Sequence, residues 1–170
     1  EVHDMLQRMN ELAVKSANGS NQTEDQGYIQ KEVSALISEI DRVASTTTFN
    51  EQNLLGSNQT FNLQVGAENT ANDRISVAID KMDSTGLKVA SVNVSTTTGA
   101  QNAIDSIKSG ISVLNAQRAD LGAQQNRLEH TINNLDNVVE NTQSAESAIR
   151  DTDMATEMVK FSNNNILAHL

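Results

Sequence analysis

Apolar residues recur in steps of three, four or seven over Ile104, Ile107, Ile111, Leu114, Leu121, Leu128, Ile132, Leu135 and Val139, and the 170-residue chain contains no proline. Few folds accommodate such a repeat. The spacing places these side chains on one stripe of an α-helix, and a stripe that narrow zips along another helix instead of enclosing a broad core. A helix of about 45 residues is close to 70 Å long at 1.5 Å per residue, so the fold is expected to be elongated. The same register puts Arg118, Gln125, Thr142 and Glu146 on the seam, where a polar residue fixes alignment or partner number at some cost in stability.

Two shorter helical patterns precede it. In the first, Val2, Met5, Leu6, Met9, Leu12, Ala13 and Ala17 share a face, and the pattern stops at Asn18-Gly19-Ser20-Asn21-Gln22-Thr23. Gly19 there is expected to form a left-handed cap, and the short loop implies a helix turning back beside the first. The second starts near Glu24 to Gln26, where acidic groups suit the positive end of the helix dipole. It carries Ile29, Val33, Leu36, Ile40 and Val43 in alternating steps of four and three.

The middle changes period. After the hydroxyl-rich breaker from Ser45 to Thr48, Phe61, Leu63 and Val65 and then Ile75, Val77 and Ile79 alternate with polar residues. That predicts two half-buried strands joined as a hairpin by residues 66–74. Leu87, Val89, Val92 and Val94 predict further extended chain before Ser95 to Gly99. Beyond Arg150, Asp151-Thr152-Asp153 reads as an N-cap for a further segment bearing Met154, Met158, Phe161, Ile166 and Leu167. The expected fold is therefore mainly α with a small β region: an elongated antiparallel helical bundle of two N-terminal helices and one long C-terminal helix, plus a β-hairpin. We divide this single domain into residues 1–45, 46–99, 100–150 and 151–170. The opening inside a helical pattern and the close on an apolar run lead us to expect a fragment of a longer helical protein.

Composition narrows the function. With 37% hydrophobic and 2% aromatic residues there is little material for a large globular core, and polarity comes without helix breakers, since glycine numbers only eight. The formal charge of -10 with no basic stripe argues against nucleic acid as a partner. No run reaches the roughly 18 apolar residues of a membrane helix, so no membrane association is expected. The absence of cysteine excludes thiolate metal sites and disulfides.

Catalytic chemistry finds no foothold. His3, His130 and His169 lack clustered partners, Asp151 and Asp153 read as a cap instead of a cation site, and phosphate-loop, HExxH and GxSxG patterns are absent. We expect no enzyme, no cofactor and no metal. The sequons Asn18-Gly19-Ser20 and Asn58-Gln59-Thr60 arise easily in a chain so rich in Asn, Ser and Thr. What remains is surface: Arg8, Glu11 and Lys15 share a face of the first helix with Leu12 at its border. That is either a solvated, salt-bridged flank or a docking strip in which Arg8 sits beside an exposed Leu12.

Three blocks are specific enough to carry a family resemblance: Leu6-Gln7-Arg8-Met9-Asn10-Glu11-Leu12-Ala13-Val14, Glu39-Ile40-Asp41-Arg42-Val43 with Thr48-Phe49-Asn50, and the long run from Ala119-Asp120-Leu121-Gly122 through Arg127-Leu128-Glu129-His130 to Asn134-Leu135. Together with Ile149-Arg150-Asp151-Thr152-Asp153-Met154-Ala155 they closely resemble bacterial flagellin over nearly all of both helical arms. The resemblance implies the rod-shaped core of a subunit that polymerises into the secreted, extracellular filament of the bacterial flagellum. It also implies other flagellin subunits, Toll-like receptor 5 and a flagellar export chaperone as partners. Matching the receptor-binding motif residue by residue carries over Gln7, Arg8, Glu11 and Leu12, Ile29 and Glu32 on the second helix, and Ile107 and Ile111 on the third. Glu51 departs from the family, which commonly has Gly after Phe-Asn. A competing reading, a coiled-coil adaptor binding partner helices, explains the heptads but neither the hairpin nor the long flagellin-like block.

Overall fold

The computed structural model describes residues 1–20 and 22–168; side chains at 152, 153, 155 and 166–168 are not described. Among the described residues three helices, two small hairpins and one 3-10 turn account for the regular structure. They are α1 (Val2–Ala17), α2 (Thr23–Thr46), β1 (Thr48–Phe49), β2 (Gln52–Asn53), β3 (Gln59–Gln64), the turn Ala71–Asp73, β4 (Arg74–Ile79) and α3 (Thr97–Ala168). The chain divides into two compact units, Glu1–Gln124 and Gln125–Leu170.

The first unit holds the core. Leu6, Met9, Leu12 and Ala13 of α1, Ile29, Val33 and Ile40 of α2, and Ala100, Ala103, Ile107 and Leu114 of α3 bury one common cluster. On α1 and α2 these belong to the apolar stripes read from the sequence; on α3 Ile107 and Leu114 do, joined by Ala100 and Ala103, while Ile104 and Ile111 are only half-buried. Burying each large side chain contributes about 1.5–3 kcal/mol. Contacts fix the directions of the helices. Arg8 meets Glu32 while Ser16 meets Gln26, so α2 runs antiparallel to α1. Gln26 also meets Thr97, whereas Leu114 and Arg118 share a cleft with Val2 and Asp4, so the first turns of α3 also run antiparallel to α1.

The main hairpin has the expected strands. Phe61 faces Val77 and Leu63 faces Ile75 across an antiparallel ladder, and Ile75 is buried. In the connecting loop Val65 N–H donates to Asp73 C=O at 2.7 Å, and a Cβ at Gly66 would run into the Asp73 carboxylate. A side chain there would force the Asp73 carboxylate to swing away from its bond with the Thr70 hydroxyl. The side chain of Gln117 fixes the far end of β4 to α3. Its Nε2 donates to Ala78 C=O at 3.0 Å and its Oε1 accepts from Asp80 N–H at 3.2 Å, so one amide stands in for a neighbouring strand.

Four expectations are corrected. Leu87, Val89, Val92 and Val94 are buried but form no strand. Lys88 takes φ 60 between two of them, a left-handed residue that turns the chain back and breaks any ladder. No described glycine has positive φ, so Gly19 is not a left-handed cap. Asn18 instead ends α1 with extended backbone, and its N–H donates to Lys15 C=O. Asp151 opens no new helix, because α3 passes through it unbroken and Ser147 donates to its carboxylate at 3.3 Å from within the same helix. A cap residue permits a helix start but does not interrupt a helix whose backbone bonds are already made. The side chain of Asp153, the other half of that expected cap, lies outside the described residues, as do those of Ile166 and Leu167.

The fourth correction concerns the seam of α3. Beyond Leu114 and Gln117 its expected members are no longer buried: Arg118, Gln125, Thr142 and Glu146 are exposed, and so are Ile132 at 56% and Val139 at 61%. The second unit consists of α3 alone among the described residues, so it contains nothing to cover that stripe.

Candidate functional site

The antiparallel pairing of α1 and α2 leaves a groove of about 500 Å³ between them. Its floor is Leu12 and Ile29, and its walls carry Arg8, Glu11 and Glu32. The spacing explains the convergence. Positions 11 and 12 on α1 lie three and four after position 8, and 32 on α2 lies three after 29, so each set shares one helical flank.

Arg8 is the centre of the wall. Its Nε donates to Glu32 Oε1 at 2.9 Å, its Nη2 lies 2.8 Å from the same oxygen, and its Nη1 pairs with Glu11 Oε2 at 3.3 Å. The hydrogen bonds it donates to Glu32 first and Glu11 second raise the guanidinium further above its ordinary value. All three side chains are about half or more exposed, so these pairs add little stability. They hold the arginine in one pose, which reduces the ordering cost when a partner arrives.

The structure brings Arg8, Glu11, Leu12, Ile29 and Glu32 together and places the other three motif residues elsewhere. Gln7 is exposed on α1, Ile111 is half-buried at the edge of the core, and Ile107 is wholly inside it. The expected exposed Leu12 is corrected: it is 3% exposed, because its ring of α1 and α2 neighbours turns it into the floor. Ile107 likewise presents no side-chain surface in this chain.

Sequence reasoning missed Asp25 and Tyr28, which also line the groove. Asp25 stands four residues before Ile29 and Tyr28 four before Glu32, on the flank those two already mark, so the helical spacing could have found them. Tyr28 is 60% exposed, its hydroxyl donates to Glu24 at 3.4 Å and Lys31 Nζ sits 5.7 Å from its ring centre. His130 is exposed on α3, and His169 lies outside the described residues. Among the described residues no three His, Asp or Glu converge as metal ligands, and no helix is long and apolar enough to cross a membrane.

Comparison with known proteins agrees at both arms. Residues 1–60 match the family model described as the bacterial flagellin N-terminal helical region, and residues 104–170 match the one for the C-terminal helical region. A flagellin of Halalkalibacterium halodurans is 46% identical over 98% of this chain, which spans 62% of that protein's length. The putative flagellin YvzB of Bacillus subtilis is 47% identical, with 78% of this chain and 84% of that one aligned. Among solved structures, a Bacillus cereus flagellin superposes with a TM-score of 0.63 at 29% identity, covering 78% of this chain and 77% of its own. The two helical arms, the small hairpins between them and these alignments make the chain a member of the bacterial flagellin family, a structural protein family with no enzymatic role.

Proposed function

We propose that this chain is the helical core of a flagellar filament subunit, polymerising with copies of its parent protein outside the bacterial cell after delivery by an export chaperone. One observation supports this beyond family membership. The exposed stripe Ile132, Leu135 and Val139 keeps heptad spacing with no cover in its own unit, and exposed apolar stripes of this kind mark association surfaces. Contacts repeated head to tail along a non-closing operator build a helical filament. The test uses the parent protein carrying Ile132→Lys and Val139→Lys. Electron microscopy is expected to show filaments from the unsubstituted protein and none from the variant; normal filaments from the variant contradict the reading.

The α1–α2 groove supports a second role, recognition by Toll-like receptor 5. In this reading Gln7, Arg8, Glu11 and Glu32 meet the receptor, Leu12 and Ile29 form the floor beneath them, Ile111 lies at the margin and Ile107 supports α3 from below. A pre-posed arginine above an apolar floor is the arrangement that concentrates binding energy. Arg8→Glu is expected to weaken receptor binding by about 2 kcal/mol or more, the hot-spot range, with helix content unchanged by circular dichroism. Undiminished affinity would remove the groove from the receptor interface.

A further inference from the structure

A polar junction built on buried Ser16, Gln26 and Val94 joins all three helices at one end of the first unit. Ser16, in the last turn of α1, is fully buried. Its hydroxyl donates to Val94 C=O, and its own C=O accepts from Gln26 Nε2 at 3.0 Å. The same Gln26 nitrogen reaches Thr97 Oγ1 at 3.4 Å, at the start of α3. Val94 N–H, three residues before α3, donates to Gln30 Oε1 at 2.6 Å. Both backbone groups of Val94 therefore end on side chains, one from α1 and one from α2, and none of these bonds belongs to a helix or sheet ladder.

The rest of the contact does not specify alignment so strictly. Ala100, Ala103, Ile107, Gly110 and Leu114 of α3 are buried in steps of three and four, and burial of apolar surface is non-directional. A seam with that repeat partly matches itself after a slide of one turn, which is four residues or about 6 Å. The junction does not: after such a slide Val94 would lose both of its side-chain partners, the buried Ser16 hydroxyl its acceptor and Gln26 its contact with Thr97, while only the Gln26–Ser16 bond between α1 and α2 would persist.

We propose that the Ser16–Gln26–Gln30–Val94–Thr97 junction is a register lock, which admits a single axial alignment of α3 on the α1–α2 pair and rejects one-turn slips. The lock is a property of this chain alone and does not depend on filament assembly or receptor binding. Whatever pulls on α3 is then transmitted to α1 and α2 at one fixed alignment.

The chain has no cysteine, so introduced pairs report alignment without competing thiols. Asp4 and Arg118 line the same cleft, whereas Gly122 lies one turn further along α3 and a Cβ there meets nothing within 4 Å. Asp4→Cys is combined with Arg118→Cys for the native alignment or with Gly122→Cys for the slipped one. Each pair is oxidised in the otherwise unaltered chain and in the Gln26→Leu, Gln30→Met background. The lock predicts that the background shifts the ratio of slipped to native crosslink by about tenfold, the scale of one lost buried hydrogen bond. An unchanged ratio overturns it, because simple destabilisation lowers both yields without favouring the slipped pair. If the double background does not fold, Gln30→Met alone carries the same comparison. The unaltered chain gives an independent check: the Val94 amide must exchange with solvent as slowly as core helix amides, and exchange as fast as the exposed Ser91 amide overturns the lock.

Discussion

The two stretches of α3 follow one sequence rule and meet opposite fates. From Ala100 to Leu114 the three-and-four repeat is buried against α1, α2 and the loop that contains Leu87 and Val89. From Ile132 to Val139 the same repeat faces solvent. Periodicity thus specifies which face of a helix is apolar, and a second element must be present for that face to become core. The difference also assigns different work to the two stretches, since one holds the fold and the other is available for association.

The largest expected effect separates them directly. Ile107→Ala leaves a cavity in the core and is expected to cost about 2–5 kcal/mol in urea unfolding, while Ile132→Ala should fall within about 0.5 kcal/mol of zero. Equal costs would mean that the second stretch is covered after all.

A smaller effect lies in the β1–β2 turn. Asn50 and Glu51 both take left-handed backbone, at φ 51 and φ 63, between the paired residues Phe49 and Gln52. Such two-residue turns favour Asn-Gly, and the Cβ of a glutamate is strained there. Glu51→Gly is expected to raise stability by about 0.5–1 kcal/mol, because relief of that strain exceeds the entropy gained by the unfolded chain. A loss of stability would show that Glu51 makes a contact that outweighs the strain.

The smallest effect is a pH dependence confined to the first unit. Burial pushes the Asp83 carboxyl up, but hydrogen bonds from Lys81 and from Gly86 N–H, with the Lys81 charge and Thr85 N–H, outweigh it and lower its pKa. The Lys81 contact is 2.7 Å and the Gly86 contact 2.8 Å. A carboxyl depressed by folding contributes stability above its unfolded value of about 3.9, and that contribution is lost as the pH falls through the lower folded value. Asp83→Asn should therefore flatten the acid limb of the stability curve. A carboxyl titrating at or above the ordinary value by NMR contradicts the assignment.

What is legible in the sequence follows the same division between pattern and partner. Helical seams and the β3–β4 alternation are local periodicities, so spacing alone places Leu6, Ile29, Ile107 and Ile75 inside. Leu12 is not legible as a floor residue, because its exposure depends on how closely α2 approaches. Nor are Gln26, Gln30 and Gln117, whose amides look like ordinary surface residues and become structural only when distant backbone groups arrive beside them. The loop around Lys88 misleads for a related reason: Leu87, Val89, Val92 and Val94 are spaced as a strand would be, yet their burial is set by close approach to α3, where Gly110 leaves room for Leu87 C=O. In the groove, residue type and spacing point to Arg8 and Glu11, the family resemblance adds Ile29 and Glu32, and the helical spacing of those two contains Asp25 and Tyr28 unread.

Amide hydrogen exchange along α3 in this chain tests the central claim most directly. Protection from Ala103 to Leu114 should approach that of the α1 and α2 cores, and it should fall to that of a solvated helix from Ile132 to Phe161. Uniformly strong protection from end to end would contradict the account, since it would require the exposed stripe to be as firmly held as the core.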